Sequence, residues 1–165
     1  MKKQILKAIG GASLVILMLA VFAQVWVSAH VQKGNQQGLV GSWDVEVTIR
    51  DCQTGAPLFS FPAAFTYNQG GTMQSTDLGP PVVITLPGHG VWQHETGREY
   101  SAAVRRLTFN PDRTFAGTGV VRSAISLGLS GDTYTSTDTF AFLDANGDII
   151  PGSEACATET ATRFK

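Results

Sequence analysis

From Trp43 to Arg50 the chain alternates strictly: Trp43, Val45, Val47 and Ile49 against Asp44, Glu46, Thr48 and Arg50. A period of two is that of a strand with one dry and one wet face. The same alternation recurs in further segments, so the pattern predicts eight strands over 41–52, 58–68, 71–76, 89–95, 99–110, 113–129, 132–144 and 155–165. Between them stand Asn68-Gln69-Gly70-Gly71, Asn110-Pro111-Asp112, Ser130-Gly131-Asp132 and Asn146-Gly147, residues that reverse a chain tightly. Short connections make consecutive strands antiparallel neighbours, and eight such strands close into an up-and-down barrel. The longer segment 77–90 carries Pro80, Pro81 and Pro87, which disfavour a central strand. It reads as a crossover or a lid.

The start of the chain has a different character. Lys2, Lys3 and Lys7 precede an apolar run, and Val27-Ser28-Ala29 offers the small residues that a signal peptidase accepts. The expectation is a signal peptide over 1–29, a short segment 30–40 and a barrel domain over 41–165, giving a secreted or periplasmic protein. Residues 8–29 also approach the roughly 20 apolar residues that cross a bilayer, so a retained segment would instead be a membrane anchor. Without residues 1–29, nine basic residues face thirteen acidic ones, a net charge of −4. That balance argues against nucleic acid as a partner.

Just two cysteines are present, Cys52 and Cys156, and export makes a disulfide between them the expectation. Barrel closure sets the last strand beside the first, where partner numbers have a nearly constant sum. Cys52 with Cys156 and Trp43 with Arg163 give sums that differ by two, and parity turns both cysteines outward. The pair is therefore expected to pin the barrel seam.

Gly41-Ser42-Trp43 at the start of the first strand, with Arg163 near the end of the last, resembles the G-x-W and terminal arginine of the calycins, the group of lipocalins and fatty-acid-binding proteins. The chain departs from the lipocalin T-D-Y motif, since Thr137-Asp138 is followed by Thr139. The resemblance implies an eight-stranded barrel in which Arg163 packs across the Trp43 indole at a closed end, in a structural cation–π contact.

Inward parity then gives the lining: Phe59, Phe61, Phe65 and Tyr67 from the second strand, and Phe115, Gly117, Gly119, Val121, Ile125 and Leu127 from the sixth. An eight-stranded interior is either filled by side chains or able to hold one small ligand. Polar residues interrupt this dry set. Tyr134, Ser136 and Asp138 share a face with Phe140 and Phe142; Glu159 lies on the Arg163 side; and either Arg105 or Arg106 must share a face with apolar residues, Arg105 being aligned with Leu107 and Phe109. Buried charges must be paired, neutralised or used. Arg105, Asp138 and Glu159 are thus expected to converge inside, either as a structural bridge or as a site in which Arg105 meets an anionic head group. The expected ligand-binding set is Arg105, Asp138, Glu159, Tyr134, Phe61 and Phe65.

His89 and His94 are five apart on a strand, point to opposite faces and cannot share a metal. No G-x-S-x-G elbow, phosphate loop or Cys–His dyad is present, and no cofactor or metal is expected. The function expected is binding of a small apolar or amphipathic molecule. The alternatives are a cofactor-free cyclase or isomerase, and a filled barrel with a structural or protein-binding role.

Overall fold

The computed structural model describes residues 38–77, 84–144 and 146–165. The signal-peptide reading of 1–29, its alternative as an anchor, and residues 78–83 of the proline-rich segment lie outside these residues. Nine strands form in chain order: β1 Gly41–Arg50, β2 Pro57–Tyr67, β3 Thr72–Asp77, β4 Ile84–Thr85, β5 Gly88–Thr96, β6 Glu99–Phe109, β7 Phe115–Leu127, β8 Thr133–Leu143 and β9 Ala155–Arg163. Eight of them are staves of a closed antiparallel barrel in the order β1-β2-β3-β5-β6-β7-β8-β9, with β9 returning to β1. The eight expected strands are all present.

The short β4 lies along β6, with Ile84 opposite Phe109 and Thr85 opposite Thr108, on the flank that β5 occupies further along. Pro87 separates the two. With no N–H to donate, a proline breaks the ladder at its position, so one run becomes two strands.

Closure rests on the β1–β9 ladder. Its partners add to 206 throughout, from Trp43 opposite Arg163 to Arg50 opposite Cys156. Cys52 stands in the turn just beyond β1 and reaches Cys156 to form the disulfide, with a Cα–Cα distance of 5.2 Å. Both cysteines border a groove on the outer surface together with Val120, Arg122, Thr139 and Ala141, as their parity requires. A disulfide of this kind fits an oxidising, extracellular or periplasmic compartment.

One end of the barrel is filled. Arg163 lies over the Trp43 ring at 4.2 Å and donates to the carbonyls of Val40 (2.7 Å), Gly38 (2.8 Å) and Gly131 (2.7 Å). Trp43 donates its indole N–H to the Leu39 carbonyl at 2.9 Å and meets Tyr134 edge-on at 4.9 Å. Leu39, Tyr67, Tyr100, Ile125 and Leu127 complete the packing, all buried. Gly41 is required here on two counts. Its φ is +136°, and a Cβ would stand 2.5 Å from Nη1 of Arg163.

Two outcomes test this frame. The disulfide closes a loop across 104 residues, so its loss through Cys52→Ala/Cys156→Ala is expected to lower unfolding free energy by about 4 kcal/mol, read from urea denaturation. Trp43→Ala truncates a fully buried indole and is expected to cost about 3–5 kcal/mol, by the same measurement. Unchanged stability in the Trp43 variant would show that the closed end is not held by this contact.

Candidate functional site

Opposite the filled end the interior opens into a cavity of about 340 Å3. Its apolar wall is built from Val47 and Ile49 of β1, Phe59, Phe61 and Phe65 of β2, Met73 of β3, Val104 of β6, Val121 of β7, and Phe140 and Phe142 of β8. These residues face inward because alternate positions of each strand must, and the closed ring leaves them one interior to share. Phe59 is 60% exposed, which places it at the mouth. Phe140 and Phe142 stack edge-to-face at 4.5 Å across from it. Small residues, Ser123 and Ala157 among them, stand where larger side chains would fill the space.

Ladder register places the polar floor. Ser136 of β8 is opposite Glu159 of β9, which is opposite Val47 of β1; two residues along β8, Asp138 is opposite Ser123 of β7 and Ala157 of β9. Three inward polar side chains are thereby brought together. Ser136 Oγ lies 2.9 and 3.0 Å from the two Asp138 oxygens and 3.0 Å from Oε2 of Glu159. Tyr134 Oη approaches the same Glu159 oxygen at 3.4 Å, and Tyr67 Oη lies 3.4 Å from Tyr134 Oη. Asp138 and Glu159 are both buried.

One serine carries one O–H hydrogen and cannot donate to two carboxylates at once. The arrangement is satisfied when Glu159 is protonated and donates to Ser136 Oγ, while Ser136 donates to ionised Asp138. Electrostatics agree with that order. Burial, and then the charge of Asp138, push the Glu159 carboxyl up to about 8. Burial raises Asp138 to about 6, against hydrogen bonds from Ser123 and Ser136 that favour its charged form. Burial also raises both tyrosines well above the usual phenol range, so they serve as O–H donors.

Across the cavity Arg106 forms an ion pair with Asp77 and reaches Ser75 Oγ at 3.5 Å. Its Nε is buried and has no hydrogen-bond partner among the described residues.

The positions expected from the sequence divide as follows. Asp138 and Glu159 converge inside, Phe61 and Phe65 line the cavity, and Tyr134 links Glu159 to the filled end. Arg105 does not join them: it is exposed on the outer face, opposite His89 of β5. The inward set of β6 is Tyr100, Ala102, Val104, Arg106 and Thr108. Leu107 and Phe109 suggested the other phase because they are apolar, yet Leu107 is 46% exposed and Phe109 packs against Phe115 at 5.8 Å. Phe115, too, is half exposed and does not line the cavity, the ladder being shifted between Thr108 and Phe109. Arg106, the other member of the arginine pair, takes the inward place expected of Arg105, and Asp77 and Ser123 were missed. Each has a parity signal, since Asp77 follows Met73 and Ser75 on one face of β3, and Ser123 lies between Val121 and Ile125.

In comparison with known proteins, no family model, no curated protein and no solved structure matches this chain.

The acid pair makes stability depend on pH. Unfolded, the two carboxyls titrate near 3.8 and 4.5; folded, both hold their protons to higher pH. Their contribution is complete below the unfolded values and is lost as pH rises through about 6 for Asp138 and about 8 for Glu159. Urea unfolding is therefore expected to show stability falling between pH 5 and pH 8.5 by a few kcal/mol. Glu159→Gln, which keeps the shape and cannot ionise, is expected to remove most of that fall. An equal slope in the variant would place the titrating group elsewhere.

Proposed function

We propose that this chain is an exported binding protein of calycin type that holds a small amphipathic molecule in its barrel, its apolar part against the phenylalanine wall and its polar end at the Ser136–Asp138–Glu159 floor. The observation that carries this reading is the cavity of about 340 Å3, apolar at its wall and mouth and polar at its base. Binding sites of roughly 300–1,000 Å3 with apolar linings and a few converging polar groups are the usual form for small ligands. The stack of Arg163 on Trp43, with Gly41 beneath the guanidinium, supports the calycin assignment. The disulfide supports export.

A second reading is favoured by one feature of the same floor. A protonated Glu159 beside an ionised Asp138, both enclosed by apolar walls, has the form of an acid and a base poised near neutral pH. Such a pair suits a cofactor-free isomerase or cyclase acting on a bound apolar substrate. Catalysis would need substrate atoms between the two carboxyls, whereas binding needs only the cavity.

Native mass spectrometry of protein taken from its own host is expected to show a retained small molecule. In parallel, the neutral fluorophore N-phenyl-1-naphthylamine is expected to bind saturably at one site per chain. Ala157→Phe, which projects a ring from the cavity wall, is expected to abolish both signals while the far-ultraviolet circular dichroism stays that of the parent. A parent protein that carries nothing and leaves the fluorophore dark would exclude the carrier reading and favour a structural barrel.

A further inference from the structure

Granted that the cavity binds a ligand, we propose that the head group it takes is a cationic amine. The charged side chains lining it, among the described residues, are Asp77, Asp138, Glu154, Glu159 and a single cation, Arg106. Arg106 is already matched by Asp77. Asp138 and Glu159 have no cationic partner within ion-pair distance among the described residues, and the one hydroxyl between them supplies one hydrogen for two carboxyl groups. The floor is thus acidic, and its other donors, the hydroxyls of Ser123 and Tyr134, are neutral.

A primary ammonium is the complement of that floor. It carries one positive charge and three N–H donors, enough to bridge two carboxylates from one point. Pairing supplies what buried carboxylates lack, and in an apolar surround the attraction is stronger than in water. An anionic head group would instead sit beside like charges. Arg106 offers it one free Nε–H, but that guanidinium has its charge matched by Asp77. A hydroxyl head group meets no repulsion, yet brings no charge to the acids. The order amine, then alcohol, then carboxylate follows for one tail length.

Binding an amine also moves a proton. The groups facing the acid pair are Ser136 and Tyr134 on β8, Ser123 on β7, Tyr67 on β2, and Arg106 with Asp77 across the cavity. Of these the tyrosines stay protonated, so the proton that leaves when the ammonium arrives is the one held by the Asp138–Glu159 pair. Up to one proton is released to solvent for each amine bound near pH 7, and no bond other than O–H is broken.

Isothermal titration calorimetry with octylamine, 1-octanol and octanoate tests this, the eight-carbon tail suiting a cavity of about 340 Å3. The expected result is octylamine at least tenfold tighter than octanol, with octanoate weakest, and an octylamine heat that varies with the ionisation enthalpy of the buffer as proton release requires. In Glu159→Gln and in Asp138→Asn the amine-to-alcohol affinity ratio is expected to fall at least tenfold. Octanoate equal to or tighter than octylamine would overturn the proposal and leave the carrier reading standing, as would three equal affinities. Failure of all three while N-phenyl-1-naphthylamine still binds would likewise overturn it. Failure of all four would remove the carrier reading and this one with it.

Discussion

Pairing of the first strand with the last is the constraint on which the rest of the molecule depends. Once β1 and β9 share a ladder without a slip, no stave is left at an edge, and every inward position of every strand is committed to one enclosed space. A slip of one residue would turn Trp43 or Arg163 to solvent and expel Glu159 from the interior. The register is held from both ends. At one, the Arg163 guanidinium spans Trp43 and ties β9 to the carbonyls of Gly38, Val40 and Gly131; at the other, the disulfide joins the turn after β1 to the start of β9.

The two ends are then free to differ. Around Trp43 the inward positions carry large rings and leave no room, with Tyr67, Tyr100 and Tyr134 in mutual reach through Trp43 and Trp92. Towards the other end the inward positions of β7 and β9 become Ser123, Gly119 and Ala157, and the volume they do not fill becomes the cavity. Gly119 is no simple vacancy, because a Cβ there would meet Phe140 at 3.1 Å and Arg106 at 3.2 Å. Its lack of a side chain lets the Arg106 stem and the Phe140 ring pack over β7, which helps to hold that arginine beside Asp77.

Much of this was legible in the chain. Alternation alone recovers the eight staves, because an antiparallel barrel with one dry face repeats a period of two without interruption. The seam follows from parity and a nearly constant sum of partner numbers, the disulfide from the presence of just two cysteines, and the Trp43–Arg163 contact from the resemblance of Gly41-Ser42-Trp43 and Arg163 to the calycin pattern. The inward carboxylates were visible as polar residues in an apolar phase. Arg105 was misplaced for a physical reason: hydrophobicity marks the interior only where the outer face is wet, and near the mouth Leu107, Phe109 and Phe115 are apolar on the outside. Anchoring the phase of β6 on Tyr100, Ala102 and Val104, far from the mouth, selects Arg106. The pairing of Arg106 with Asp77 was out of reach in any case, since it depends on the curvature that brings β3 and β6 together across β5.

A barrel that only had to be stable would not keep Asp138 and Glu159 inside. Replacing buried ionisable groups by apolar ones of similar volume is often neutral or stabilising, and here, among the described residues, no cation stands within ion-pair distance of the two acids, Arg106 favouring the charge of Glu159 only from across the cavity. Ser136 moderates the cost by standing between them, but it also fixes their separation to the reach of one hydroxyl, so that each feels the charge of the other. The filled end shows that this sequence can close an interior with aromatic and aliphatic side chains around one arginine tied to main-chain carbonyls. That the other end instead leaves a cavity beside two acids with no cation at ion-pair distance among the described residues is the physical reason for proposing the ligand's polar end at that floor and not at the mouth.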